Sequence, residues 1–316
     1  VFIRDTLTSP VRPVPTGDKW SGSVSTDAYV LNGYRLTNLM MTGQTSQVWE
    51  AIQEITGRRY ALKMLLPERA REPEHRKYID TEAKVGKLLQ HPKIIKVFEY
   101  YREKDNPHFI MEFFPGANMK QRIMHVWSTA GGAGRDVEKD RKKSEFILTN
   151  APQIIEQAAE ALAYMHDKGW LHKDIKPDNI LVNGVGEVRL IDFALAAPVR
   201  KWFGRGPVQG TRSYMAPEQI RNERLDQRTD AYSFACTVFE LLTGRPPFRA
   251  DSPKALLEKH LYEKPRTPRS INPALTDEMD DLIMRMLSKN RKDRLDNMHE
   301  FLAKFRGINI FSKDAK

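Results

Sequence analysis

Three short runs near the start of the chain set hydrophobic residues among polar ones in a strand-like way, and the second of them alternates. Tyr34-Arg35-Leu36 opens the first, Gln47-Val48-Trp49-Glu50-Ala51-Ile52 forms the second and Tyr60-Ala61-Leu62-Lys63-Met64-Leu65 the third. Thr56-Gly57 supplies a turn between the last two, so the pattern predicts an antiparallel meander. Residues 75–90 read as a helix closed by His91-Pro92, and two more strands are expected around 94–101 and 108–113. Pro115-Gly116 breaks this pattern. Beyond it the period changes: Ile154, Ile155, Ala158, Ala161, Leu162 and Met165 share one face of a helix over 151–167. The expected class is α+β. A flexible N-terminal extension over 1–27 carries Pro10, Pro13 and Pro15. A small antiparallel β-sheet lobe with one main helix follows over 28–114, then a larger, mostly helical lobe over 115–312. The stretch 128–145, Gly-rich and then charged, reads as an inserted surface loop.

Composition narrows the function classes. The 316 residues are 40% hydrophobic and 29% charged, which excludes a disordered or collagen-like chain. The net charge of +10 admits nucleic acid, anionic lipid or an acidic protein as partner without selecting one. A single cysteine, Cys236, excludes an intramolecular disulfide and a cysteine-based zinc site, and fits a reducing, cytoplasmic setting. No apolar run reaches the length of a membrane span. Arg4 and Asp5 come too early for a secretory signal, and the opening Val1 leaves room for flanking domains outside the chain.

The chemistry-bearing residues are clustered. His172-Lys173-Asp174-Ile175-Lys176-Pro177-Asp178-Asn179 is followed, eighteen residues after Asp174, by Asp192 in Leu190-Ile191-Asp192-Phe193-Ala194. Gly210-Thr211 and Met215-Ala216-Pro217-Glu218 come next, and Tyr60-Ala61-Leu62-Lys63 lies upstream. Any one of these alone reads as surface decoration. In this order and spacing, across residues 30–305, they resemble the signature set of the eukaryotic-type (Hanks-type) Ser/Thr protein kinases, including bacterial ones.

That resemblance implies a bilobal protein-kinase-like fold, ATP and Mg²⁺ as cofactors, and a protein substrate. It places Asp174 as the base that accepts the substrate hydroxyl proton and Lys176 beside the transferring phosphate. Asn179 and Asp192 match the metal ligands, hard oxygen donors that suit Mg²⁺. Lys63 matches the lysine that contacts the α- and β-phosphates, with Glu82 as its partner, and Thr211 matches the threonine that bonds Asp174 and Lys176. Met41, Gly43, Ser46 and Val48 fall on the phosphate loop. Met111 matches the gatekeeper, Glu112 and Phe114 the adenine-binding hinge, and Val48, Ala61 and Leu181 the residues that sandwich the ring. Glu218 and Arg294 match a structural ion pair, Asp230 the aspartate that anchors the catalytic-loop backbone, and Cys236 reads as a small buried hydrophobe.

Four departures carry consequences. Only Gly43 remains of three loop glycines, so a working but stiffer loop is expected. Lys173 replaces an arginine that receives an activating phosphate, and Ala194 to Gly210 holds no Ser, Thr or Tyr. Activation without phosphorylation of that stretch is therefore expected. Ala194 replaces a glycine, which restricts a flip of the Asp192 segment. Gly86 replaces a packed leucine one turn after Glu82, so a gap beside Phe193 is expected, with the Glu82 helix held by a regulatory partner or by the N-terminal tail. A nucleotide-binding pseudokinase scaffold is the alternative, and the complete charged set argues against it. A small-molecule kinase is disfavoured by Thr211 and Met215–Glu218. Arg200-Lys201-Trp202-Phe203-Gly204-Arg205 is the one basic, aromatic stretch; it reads as a substrate-docking loop, and no nucleic acid partner is expected.

Overall fold

A computed structural model describes residues 29–127, 137–199 and 209–312, the side chains of 137–148 excepted. The expected extension over 1–27, residues 128–136 of the expected loop and the Arg200–Arg205 stretch lie outside these. The chain divides into two compact units, one of residues up to 79 together with 100–111, the other of 80–99 together with 112 onward.

The smaller unit is built on a sheet in the order β1-β2-β3-β4-β6-β5. Its strands are β1 (Val30–Leu31), β2 (Tyr34–Thr42), β3 (Ser46–Gln53), β4 (Arg59–Leu65), β5 (Val97–Tyr101) and β6 (His108–Glu112). Asn32 and Gly33 turn β1 into β2 with φ of 50° and 80°. A two-residue hairpin loop of this kind needs positive φ at both positions, which an Asn-Gly pair adopts at least cost. Ala51, Leu62 and Met64 are buried on one face of the sheet, and Tyr34 meets Tyr60 edge-on at 5.5 Å. Helix α1 (Pro73–Leu88) straddles the division at Ile79.

The larger unit is organised around α5 (Gln227–Thr243), buried at every residue from Thr229 to Thr243. A helix apolar on all sides is stable only with neighbours all round. Asp226 caps its start by accepting from the Arg228 N–H. Around it lie α2 (Met119–Trp127), α3 (Val137–Asp167), α4 (Pro217–Ile220), α6 (Pro253–Tyr262), α7 (Asp277–Met286) and α8 (Met298–Phe305). Among the described residues no helix is long and apolar enough to cross a membrane.

The α+β class expected from the sequence is observed, and two local features differ from expectation. Helix α3 begins at Val137, so residues 137–145 are helix rather than inserted loop. The run Glu138 to Glu145 is dense in Lys, Arg and Glu, which are good helix formers even where no apolar face marks the period. Among the described residues, the helical unit also holds short strands of its own. These are β7 (Gly116–Asn118), β9 (Ile180–Asn183) and β10 (Val188–Leu190) in the order β10-β9-β7, and β8 (Trp170–Leu171) paired with β11 (Ala197–Pro198). At two to four residues they are too short for alternation to show.

Candidate active site

In the larger unit, the loop from β8 to β9 is hung from α5 by one carboxylate. The backbone N–H groups of His172 and Lys173 donate to the two oxygens of Asp230, each at 2.8 Å, and His166 Nε2 donates at 2.9 Å. Asp230 is wholly buried. Burial alone would push its carboxyl up, but the hydrogen bond and charge of His166 and the His172 N–H hold it below the usual carboxylate range. The loop needs this anchor because Lys173 sits at φ 70°, a conformation a lysine does not favour on its own. His172 then ties the loop to the segment ahead of Asp192: Nε2 bonds the Ile191 carbonyl at 3.1 Å. A carbonyl only accepts, so Nε2 carries the proton and Nδ1 accepts the Asp174 N–H.

Asp174 is held at both oxygens. Lys176 Nζ lies 2.7 Å from Oδ2, and the Thr211 N–H donates to Oδ1 at 2.9 Å. Lys176 also donates to Thr211 Oγ1 at 2.8 Å. Thr211 thus reaches Lys176 by its hydroxyl and Asp174 by its backbone. Gly210 precedes it at φ 117°, a backbone that a residue with a side chain rarely adopts, and a Cβ there would lie 3.3 Å from the Lys173 carbonyl oxygen.

Asn179 is buried and donates from its amide nitrogen to the Asp174 carbonyl at 2.8 Å and to Oδ2 at 3.3 Å. Its Oδ1 is then the atom suited to a hard cation. The Ile191 N–H donates to the Asn179 carbonyl, bringing Asp192 up beside it, and Asp192 stands at φ 66° with Oδ1 accepting from the Ala194 N–H. No group of three or more His, Cys, Asp or Glu among the described residues makes a closed metal cage. One carboxylate and one amide oxygen fit Mg²⁺, which takes its remaining contacts from phosphate and water.

Glu82 is buried in α1, and Phe193 packs at the next turn of that helix. The expected gap at Gly86 is absent: a Cβ there would collide with Val97 Cγ2 and lie 3.7 Å from Phe193. Val97 fills the space a leucine would take. Glu112 pairs with Arg189 at 2.9 Å, and that guanidinium stacks 4.7 Å over the Phe114 ring, fixing the start of the hinge segment. Leu181 lies on β9, opposite Asn118 and Arg189.

The smaller unit gathers its own set. Met41, Val48 and Lys63 stand directly opposite one another across β2, β3 and β4. With a period of two, Ser46 and Ala61 share that face. The Gly43 N–H donates to the Ser46 carbonyl at 2.8 Å and closes the loop tightly. Met111 ends the unit's part of β6.

Below the catalytic loop, Arg294 and Glu218 form a fork of 2.7 and 2.9 Å with side chains 0% and 3% exposed. Sequence reasoning missed His166, and also Gln219, which donates to the Lys173 carbonyl at 2.9 Å. It also missed the Lys120–Glu240–Tyr214 cluster. No spacing rule marks these residues, because each partner lies far away along the chain.

Residues 34–305 match the model of the protein kinase domain. The chain is 31% identical over 275 residues to a probable serine/threonine-protein kinase of Streptomyces coelicolor, covering 84% of this chain and 38% of that one. It is 30% identical over 286 residues to the probable serine/threonine-protein kinase PknB of Corynebacterium glutamicum, covering 87% and 42%. With the serine/threonine-protein kinase PknB of Mycobacterium tuberculosis it shares 28% over 289 residues, covering 89% and 43%. The chain belongs to the protein kinase family, in its bacterial serine/threonine branch. It spans about two fifths of the length of these curated relatives.

Proposed function

We propose that this chain is a protein serine/threonine kinase that uses ATP and Mg²⁺ and works without phosphorylation of its activation segment, in which the first hydroxyl residues after Ala194 are Thr211, Ser213 and Tyr214. The observation that carries the reading is the Asp174–Lys176–Thr211–Asn179 network, which holds one carboxylate by both oxygens at bonding distance. The relatives named as serine/threonine kinases support it.

Asp174 accepts the proton of a substrate Ser or Thr hydroxyl as that oxygen bonds to the γ-phosphorus of ATP and the bond to the β-phosphate oxygen breaks, leaving ADP. Lys176 offsets charge on the moving phosphoryl group and keeps Asp174 oriented. Mg²⁺, held by Asn179 and Asp192, would neutralise phosphate charge. Lys63 binds the α- and β-phosphates, with Met41, Gly43, Ser46 and Val48 forming the loop over them. Glu82 orients the machinery, and the backbone of Glu112 and Phe114, with Met111, Ala61 and Leu181, receives adenine. ATP and a single unpaired cysteine fit a cytoplasmic setting.

Transfer of labelled phosphate from ATP to a generic protein substrate tests this, comparing the parent with Asp174→Ala. Equal turnover removes the kinase reading. The same assay on phosphatase-treated parent is expected to show unchanged kcat; activity restored only with a phosphate on Thr211, Ser213 or Tyr214 removes the claim about activation.

A further inference from the structure

Helix α1 ends at Leu88, and the chain then turns through His91 and Pro92 before it reaches β5. The Ile94 N–H donates to the His91 carbonyl and closes that turn, and the Leu190 N–H donates to the Lys93 carbonyl at 2.8 Å, pinning it to β10. A cleft of about 340 Å³ is left between the end of α1, β5 and Arg189. Every residue that lines it belongs to the larger unit, and none of those gathered around Asp174 is among them.

The walls are largely apolar. Leu89 and Ile94 are buried there, with Phe98 beside them. Leu88, the next residue back along the chain, leaves a large apolar side chain 61% exposed at the end of the same helix. The charge is one-sided. Among the described residues Glu112 is the one acid that lines the cleft, and Arg189 already holds it through Nε and Nη2, each at 2.9 Å. Burial pushes the His91 imidazole down; Glu160 opposes this and Lys93 adds to it, so His91 brings no charge at neutral pH. Lys96 remains. It is exposed, its ammonium lies 5.2 Å over the Phe98 ring, and no carboxylate among the described residues pairs with it. An apolar cleft is therefore joined to an unmatched positive charge.

We propose that this cleft is a docking site for an acidic segment of a partner protein, one that inserts a large apolar side chain and carries Asp or Glu next to it. The apolar side chain covers Leu89 and Ile94, as interface anchors fill desolvated pockets. The neighbouring carboxylate meets Lys96, and the net charge of +10 draws such a partner in. A basic segment gains no partner here, because Glu112 is taken. The Glu112–Arg189 pair also fixes the start of the hinge segment, so the docked segment touches the pair on which that start depends. Binding alone tests this, independently of phosphate transfer.

The test uses the full chain and a short fluorescein-labelled peptide with phenylalanine set among aspartates, read by anisotropy. Saturable binding is expected, weakened roughly tenfold or more when lysines replace the aspartates or alanine replaces phenylalanine. Lys96→Glu reverses the charge at the rim, and Gln90→Trp sets a bulky ring into the cleft from an exposed position. Each is expected to weaken binding roughly tenfold. Lys254→Glu, the same charge change at an exposed position of α6, should leave it unchanged. Thermal unfolding shows which variants are folded, and Lys96→Gln and Gln90→Phe replace any that are not. Absence of saturable binding overturns the proposal. Equal losses in Lys96→Glu and Lys254→Glu also overturn it, since they mark a general attraction to a basic protein. Undiminished binding to Gln90→Trp puts the peptide elsewhere and has the same consequence. Self-association of the parent that Gln90→Trp abolishes, seen by sedimentation, makes a second copy of the chain the occupant and overturns the acidic partner.

Discussion

Asp230 on α5 receives the backbone N–H of Lys173, a residue held at a φ of 70°. The bond is one of three donors aimed at one buried carboxylate. An amide offers a single acceptor oxygen and would turn an NH₂ group against a donor. Asp230→Asn is therefore expected to cost about 2–4 kcal/mol, read as a lower urea midpoint at unchanged slope, and to lower kcat with it. The pH dependence has a definite sign. The folded carboxyl is held below its usual range, so its stabilisation is complete above the unfolded value of about 4 and is lost as pH falls through the folded value. The variant should lose less stability than the parent on acidification through that window. A midpoint within about 0.5 kcal/mol of the parent at neutral pH would mean the anchor is dispensable.

Arg294 and Glu218 meet as a fully buried fork, and the Arg294 guanidinium also lies 4.8 Å over the Tyr232 ring. Removing one charge leaves the other buried without a partner, at a cost of about 3–5 kcal/mol. Glu218→Gln and Arg294→Met should each destabilise strongly. The double variant Glu218→Met with Arg294→Met should recover a large part, because an apolar pair leaves no stranded charge. Thermal unfolding of the four proteins decides this. A double variant as unstable as the sum of the singles would show that the carbonyl bonds of Arg294 to Ser288, Arg228 and Lys289 matter more than the pair.

The fold class, and the residues that the structure gathers around Asp174, were legible because they recur at particular separations along the chain. Asp174, Lys176 and Asn179 lie within six consecutive positions, and a spacing rule finds them. The strands β2, β3 and β4 announced themselves as short strand-like runs joined by turn residues. The rest was illegible for a physical reason. His166 and Asp230 are 64 positions apart, Gln219 and Lys173 are 46, and Lys120 and Glu240 are 120, so only tertiary packing brings them together. Gly86 shows the opposite error: its helix was readable, but Val97, eleven positions on, decides what fits beside it. The first turns of α3 were missed because a charged run shows no buried face.

Gly86 separates local propensity from packing. Propensity alone makes Gly86→Ala stabilising, by at most about 1 kcal/mol since α1 ends two residues later at Leu88. The structure makes it destabilising by about 1–3 kcal/mol, since the new methyl collides with Val97 Cγ2. Pairing it with Val97→Ala exchanges one volume for another and should restore most of the loss. Denaturant midpoints of the two single variants and the double give the coupling directly. A stabilised Gly86→Ala would show that this part of α1 shifts freely.

Thr211 divides its duties between backbone and side chain, and the two can be tested apart. Its N–H holds Asp174 Oδ1 and its hydroxyl accepts from Lys176. Thr211→Val keeps the N–H, the branching at Cβ and nearly the volume, but deprives Lys176 of one acceptor. The ammonium is then less well placed for the transferring phosphate, and kcat is expected to fall roughly tenfold or more, as for other positioned electrostatic groups. Thr211→Ser keeps the hydroxyl and should stay close to the parent. KM for ATP should move little in either, because the lost interaction acts on the group in transfer. Steady-state kinetics of the three proteins give the answer. Equal losses in Val and Ser variants would assign the role of Thr211 to its methyl packing, and unchanged kcat in both would leave the backbone N–H as its only contribution.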